Sequence, residues 1–388
     1  MPEGLGIAAA TAFGVTVLLL WVLGPIATRI NLVDHPGGRK HHAQPTPLIG
    51  GIAIVTGFSL AALASGLPLS PFRALFGGAL ILVIVGVLDD LRELSPRSRL
   101  LAQLGASFLM AVGAGVVLTD LGYLLGPDWL MVLGFLATPF TLFAATGLMN
   151  TINMSDGVDG LSASLVLIAL LSLVLVASTS GQSDKASLLV PLLAALLAFL
   201  LFNLRPQGHA LVFMGDAGSL VLGFALCWFL ISFSQGSDRL MAPVTALWLI
   251  ALPLIDTLVI MGRRIAKGQS PLRADRQHYH HILLAAGFSP KQALGIMLLL
   301  ALATTGIGLA GHFLGTPEHI MFWGFMALLG LHAWMIIRAW QLKRFLGRAL
   351  AHQAAKAVSC PRNPQARTGH VPLSWYRHPQ AGPRSGKI

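Results

Sequence analysis

Residues 150–162 read NTINMSDGVDGLS and stand between two long apolar runs, near 129–149 and 161–178. Asn150, Asn153, Asp156 and Asp159 recur at every third position, with Gly157 and Gly160 among them. On a helix that spacing keeps the four polar groups near one stripe, and in a glycine-broken turn it lets them converge on a point. Carboxylates beside membrane-length apolar sequence are costly unless a cation, a partner or a ligand meets them. A solvated connecting loop does not need this density of acid, amide and glycine. The stretch therefore marks a site at a membrane boundary.

The composition outside this stretch agrees. Hydrophobic residues make up 55% of the 388 and charged residues 11%, against about 25% charged in ordinary soluble domains. This excludes a soluble enzyme carrying a single anchor and predicts an all-α polytopic integral membrane protein. Eleven spans are expected, near 5–28, 47–66, 72–88, 99–118, 129–149, 161–178, 187–204, 216–233, 241–261, 292–311 and 320–340. The first apolar segment lacks a small-residue cleavage site and reads as a retained helix. With the N-terminus outside, the loops near 29–46, 89–99, 150–160, 205–215 and 262–291 are cytoplasmic, as is the tail from 341. These segments, with Arg338, hold 23 of the 26 Lys and Arg, and only Arg73, Lys185 and Arg239 fall outside. The net charge of +11 is thus a positive-inside bias rather than a nucleic-acid footprint, and no nucleic-acid partner is expected. Residues 1–340 are expected to form the transmembrane catalytic domain, and 341–388 a basic, flexible cytoplasmic tail near anionic lipid. Cys227 and Cys360 suggest neither a disulfide framework nor a thiolate metal site.

The acids also gather on the inner face: Asp34, Asp89, Asp90, Glu93, Asp156, Asp159, Asp216, Asp256 and Asp275. A positive-inside bias does not require that, and mixed charge on one face suits a site for a metal and a phosphate. Arg39 and Lys40 follow Pro36-Gly37-Gly38 in the first inner loop. Asp89 and Asp90 are adjacent at a helix C-terminus, where they oppose the helix dipole and repel each other unless a cation or proton intervenes. Asp216 lies between Gly215 and Gly218 at the start of a helix, an arrangement suited to metal and phosphate, with N-capping as the competing role. Asp256 precedes Arg263 and Arg264 by about two helical turns and is expected to orient them. In the longest inner loop Arg276, His278, Tyr279, His280 and His281 offer donors to phosphate and sugar oxygens. Zinc is disfavoured there because no cysteine accompanies the histidines. No Walker, Rossmann or triad pattern occurs in a suitable context. A cation-coupled transporter would place acids near mid-bilayer in related halves, whereas these acids lie at one face of a chain with no internal repeat.

The order of these motifs resembles the polyprenyl-phosphate N-acetylhexosamine-1-phosphate transferase family. The matching stretches are Arg39-Lys40 through Gly51, Asp89-Asp90, Asn150 to Leu161, Phe213 to Ser219, Pro253 to Arg264 and Asp275 to Leu283. The histidine run looks most like the WecA/TagO-like branch, which uses UDP-N-acetylglucosamine. The peptidoglycan branch, which takes UDP-N-acetylmuramoyl-pentapeptide, arranges its histidines differently. The resemblance implies transfer of a sugar-1-phosphate from a UDP-N-acetylhexosamine to undecaprenyl phosphate, with release of UMP, in the bacterial inner membrane. It implies Mg2+, replaceable by Mn2+, on the pyrophosphate, held by Asp216 with Asn153. Asp159 would contact uracil, Asp156 would support the same turn, and Asn150 would join the substrate-binding stripe. Asp89 and Asp90 would face the lipid phosphate, with Asp89 the base; a phosphate monoester with a second pKa near ~6 is already mostly ionised at neutral pH, which leaves the two acids the alternative of positioning that phosphate or a cation. Arg39 and Lys40 would balance phosphate charge, and Arg276, His278, His280 and His281 would meet pyrophosphate and sugar. The lipid bilayer is an implied partner, and relatives imply a homodimer.

Overall fold

In the computed structural model, which describes residues 4–35, 45–205, 209–269 and 278–359, the apolar runs fold into thirteen α-helices and one two-stranded sheet. In chain order the helices are α1 Gly4–Arg29, α2 Gly50–Ala64, α3 Arg73–Arg92, α4 Pro96–Phe108, α5 Ala137–Met154, α6 Leu161–Thr179 and α7 Leu189–Asn203. They continue with α8 Gly215–Ser234, α9 Pro243–Leu249, α10 Ala251–Ile265, α11 Tyr279–Ala285, α12 Pro290–Phe313 and α13 Glu318–Ser359. Strands β1 (Val33–Asp34) and β2 (Thr46–Pro47) pair antiparallel. Among the described residues, seven helical stretches are long and apolar enough to cross a membrane, or eight if the bent α9–α10 pair is one span. Large apolar side chains on the outside, such as Phe135 at 89% exposure and Trp21 at 72%, suit lipid rather than water. The protein is a helical, multi-pass membrane protein.

Helix α8 is the axis. Its most apolar window is 94% buried, against 28% for α1, and α2, α3, α5 and α6 pack around it. Small residues allow this. A Cβ on Gly51 would run into the Gly218 backbone, and one on Gly86 into the Ala217 backbone. A Cβ on Gly223 would lie 2.6 Å from Met149 Cα. Backbone-to-backbone contact of this kind is how helices associate where lipid removes the hydrophobic drive. It fixes the start of α8 against α2 and α3.

Three expectations change. The span near 99–118 ends early, because α4 passes into a π-turn at Leu109–Gly113, and the span near 129–149 is displaced along the chain to Gly134–Met154. Gly115 and Gly122, at φ of 68° and 80°, break the run between them. Gln235 holds this connector, its Oε1 accepting from the Thr119 and Asp120 N–H groups at 2.8 and 3.2 Å. The span near 241–261 is broken, with α9 and α10 bent by 86°. Pro253 has no N–H for the Leu249 carbonyl, and the Thr305 hydroxyl of α12 donates to that oxygen instead at 3.4 Å. The expected tail begins as helix: α13 continues to Ser359 through an alanine-rich run, and residues 360–388 lie outside the described residues. The described residues up to Ile336 and those from Ile337 onward belong to two separate units.

Candidate active site

The carboxylate of Asp216, in the first turn of α8, gathers groups from three other helices. Its Oδ1 accepts from Asn153 Nδ2 of α5 at 2.7 Å, and that amide also donates to Ser219 Oγ at 2.9 Å. Its Oδ2 lies 3.1 Å from Arg99 Nη1 of α4. The same Arg99 nitrogen lies 2.7 Å from Asp89 Oδ2 at the end of α3. Asp89, Asn153 and Asp216 are thus brought to one point, with Arg99 bridging the two carboxylates. The Arg99 and Asp216 side chains keep 35% and 27% exposure, so the cluster can be reached from outside.

Local sequence explains each placement. Glu93 ends α3 in the left-handed region, at φ 47°, and the turn lets the Leu94 N–H donate to Asp89 Oδ1 at 2.6 Å. Both Asp89 oxygens are therefore engaged. Ser95 caps α4, accepting from the Ser98 N–H at 3.2 Å, with Pro96 at the first helical position. That cap sets Arg99 in the first turn, facing back to α3. Asp90 serves α8: its Oδ1 accepts the Asp216 N–H at 3.0 Å, a capping bond supplied from another helix. Its Oδ2 is buried without a hydrogen-bond partner. Gly215, at φ 71°, leaves room for that oxygen, which a Cβ would strike.

Asn150 does not join this point. Its Nδ2 donates to Gln103 Oε1 at 2.9 Å and to the Thr146 carbonyl at 2.8 Å, while Gln103 Nε2 returns a bond to Asn150 Oδ1 at 3.2 Å. The amide is spent on clasping α4 to α5, about one turn below Arg99 and Asn153. Leaving one partner of such a pair unsatisfied costs about 1–3 kcal/mol, whereas removing both can be nearly neutral. Gln103→Leu and Asn150→Leu should each lower the thermal stability of the detergent-solubilised protein, and the double variant should be no worse than either. Additive losses in the melting curves would mean that the two amides act separately.

Asp156 and Asp159 sit exposed on the turn between α5 and α6. Ser162 Oγ donates to Asp156 Oδ1 at 2.6 Å, and the Ala210 N–H to Asp159 Oδ2 at 3.4 Å. Buried Asn203 ties this turn to the approach to α8, accepting the Gly160 N–H at 2.6 Å and donating to the Val212 carbonyl at 2.9 Å. The first inner loop leaves from the same place. Its end at Pro47 accepts the Phe213 N–H at 2.8 Å, and Gly51 donates to the Met214 carbonyl at 2.9 Å. Arg39 and Lys40 of that loop, and Arg276 of the longest loop, lie outside the described residues.

The histidines have an anchor that the sequence did not reveal. Asp256 was expected to orient Arg263 and Arg264, but its carboxylate holds the histidine segment: Oδ2 is 2.9 Å from His278 Nδ1, and Oδ1 accepts the Tyr279 N–H at 3.1 Å. The bend before α10 and the start of α11 bring these groups together. With Nδ1 donating to the carboxylate, Nε2 would be left as an acceptor. The His278 and His280 rings stack at 5.9 Å, and His281 lies 4.2 Å from His280. A Cβ on Gly157 would be 2.6 Å from His280 Nε2, so His280 packs on the Asp156–Asp159 turn. Burial, with the neighbouring His281 and His278, pushes His280 down to about 3. It is therefore a neutral ring, not a cation, at neutral pH, and its buried Nε2 has no hydrogen-bond partner among the described residues.

Among the described residues three carboxylates, Asp89, Asp90 and Asp216, share the Arg99 guanidinium, so a proton or a further cation balances the cluster. Hard divalent ions take oxygen ligands, and magnesium binds through few protein carboxylates plus phosphate oxygens. Asp216, the Asn153 amide and the unpartnered Asp90 oxygen fit that demand. Among the described residues no group of three or more His, Cys, Asp or Glu could hold a metal alone. The sequence signal for Asn153, Asp89 and Asp216 was direct. Arg99, Gln103 and Asn203 were missed as site-forming residues, although Ser95-Pro96 is a helix-start signal that sets Arg99 in a first turn.

Residues 72–234, which include Asp89, Asn153 and Asp216, match the family model described as Glycosyl transferase family 4. An undecaprenyl-phosphate alpha-N-acetylglucosaminyl 1-phosphate transferase of Yersinia pestis is 38% identical over 335 residues, covering 86% of this chain and 92% of the relative. The protein of that name from Escherichia coli K12 is 37% identical over 339 residues, covering 86% and 91%. That from Haemophilus influenzae is 37% identical over 334 residues, covering 85% and 94%. With this identity over nearly the whole of each relative, the chain belongs to glycosyl transferase family 4, among the undecaprenyl-phosphate alpha-N-acetylglucosaminyl 1-phosphate transferases.

Proposed function

We propose that this protein transfers N-acetylglucosamine-1-phosphate from UDP-N-acetylglucosamine to undecaprenyl phosphate at the cytoplasmic face of the bacterial inner membrane, starting an envelope polysaccharide. The observation that carries the reading is the meeting of Asp89, Arg99, Asn153 and Asp216, a charge arrangement suited to a pyrophosphate and a second phosphate. An oxygen of the lipid phosphate attacks the β-phosphorus of the nucleotide sugar. The bond from that phosphorus to the bridging oxygen breaks, and UMP leaves with the oxygen. A phosphate monoester has a second pKa near ~6 and is mostly ionised at neutral pH, so the step needs no proton removed.

The residues then supply position and charge, which dominate phosphoryl transfer. Asp216 and Asn153, with the spare Asp90 oxygen, would hold Mg2+, which Mn2+ could replace. When bound, the ion would neutralise charge on the pyrophosphate. Asp89 anchors Arg99 rather than acting as a base, since its oxygens are already engaged. Arg99 then offers its remaining N–H groups to the phosphates. Asp159 would meet uracil on the turn that Asp156 and Asn203 support. His278, His280 and His281 would meet pyrophosphate and sugar, with Arg276, Arg39 and Lys40 balancing charge from the inner loops. Asn150 belongs to the helix clasp. The topology consistent with this is eleven spans, N-terminus outside, with α2 and α7 as short spans and α4 crossing with its π-turn.

The test is a panel of UDP-sugars offered to purified protein with undecaprenyl phosphate, the lipid product being identified by mass. The expected product is undecaprenyl diphosphate bearing N-acetylhexosamine. A product from UDP-N-acetylmuramoyl-pentapeptide alone, or none from any donor, would overturn the assignment.

A further inference from the structure

We infer that His332, on α13 and beyond the segment matched by the family model, is a positioning residue that seats the histidine segment of the site. Helix α13 reaches this position by packing on α9. Trp248 and Phe325 meet edge-on at 5.8 Å, and Trp248 Nε1 donates to the Met321 carbonyl at 3.1 Å. Two turns further along, His332 arrives beside Asp256. His332, Asp256 and His278 keep only 6%, 6% and 5% exposure. His332 Nε2 is buried, has no hydrogen-bond partner, and lies 3.7 Å from Asp256 Oδ1. The Tyr279 ring lies 5.4 Å from the His332 ring.

A carboxylate this deeply buried needs polar partners on both oxygens. His278 serves Oδ2, while Oδ1 has the Tyr279 N–H and, facing it, the otherwise unused nitrogen of His332. Without His332 the oxygen that receives the first N–H of α11 is undercompensated, and the hold of Asp256 on His278 and Tyr279 loosens. The disturbance passes on, because His278 stacks on His280 and His280 packs on Gly157. His332 touches none of these histidines' proposed ligands and acts through Asp256. The inference rests on the proposed reading of the histidine segment as the contact to the nucleotide sugar.

The experiment compares His332→Leu, His332→Gln, Asp256→Asn and His278→Ala, each purified in detergent, with separate KM values for UDP-N-acetylglucosamine and undecaprenyl phosphate. Outer contacts of this kind typically cost about 10-fold when removed. His332→Leu should raise the KM for the nucleotide sugar by that factor and leave the KM for the lipid unchanged. A merely misfolded fraction would instead lower kcat with both KM values intact. Glutamine places an amide nitrogen near the position of Nε2, so His332→Gln should recover the wild-type KM, and Asp256→Asn should reproduce the His332→Leu defect. A wild-type nucleotide-sugar KM in His332→Leu, or a His332→Gln enzyme as impaired as it, would overturn the inference while a His278→Ala defect left the site reading intact. A silent His278→Ala would overturn both.

Discussion

Asp216→Ala should abolish UMP release, by about 10³-fold, while the protein melts no lower than the wild type. The two halves of this expectation have separate causes. Activity falls because Asp216 is where α4, α5 and α8 place their polar groups together, through Arg99 and Asn153. Stability holds because α8 is capped through the Asp216 backbone N–H, which Asp90 accepts whatever the side chain is. Removing one of three neighbouring carboxylates also relieves like-charge repulsion. Release of UMP in the presence of magnesium, paired with a thermal melt, reads both. Activity close to wild type would remove Asp216 from the chemistry, and a collapsed melt would make it a structural residue.

Gly86→Ala is expected to be nearly as damaging, for a reason of packing alone. The added methyl meets the backbone of Ala217 rather than a flexible side chain, so α3 and α8 must move apart. Overpacking a core ordinarily costs about 1–3 kcal/mol, and a backbone contact that cannot yield by rotamer change belongs at the upper end. Gly86 lies about one turn before Asp89 and Asp90, and Ala217 follows Asp216 directly. The same separation therefore pulls the carboxylate pair from its partners, and a displacement of ~1 Å can cost about 10²-fold in rate. Lower melting and a rate loss of that order should appear together. Gly105→Ala is the control: nothing lies within 4 Å of its Cβ position. It should keep full activity and gain about 0.5–1 kcal/mol.

The acids of the site were legible in the sequence because apolar flanks make any polar group conspicuous. Asp89, Asp90, Asn153 and Asp216 stand out for that reason, and the helices around them follow from apolar run length. Partners were not legible. Arg99 reads as one more positive-inside cation until Ser95 and the turn at Glu93 aim it at Asp89. The bond between Gln103 and Asn150 joins residues 47 apart, a pairing that depends on how α4 packs on α5. Asp256 was read against Arg263 and Arg264 by helix arithmetic alone. The arithmetic was sound, but it could not include α11, whose start supplies the competing partner. Helix ends failed where glycines and Pro253 interrupt otherwise continuous hydrophobicity.

A position-specific radiolabel shows whether a phosphate travels with the sugar. UDP-N-acetylglucosamine labelled in either the α- or the β-phosphate is incubated with purified protein, undecaprenyl phosphate and magnesium, and lipid is separated from nucleotide. β-Label should move into the lipid while α-label stays in UMP, and both the lipid labelling and the UMP release should be lost in Asp216→Ala. β-Label remaining in a released UDP, with only the sugar on the lipid, would rule out sugar-1-phosphate transfer.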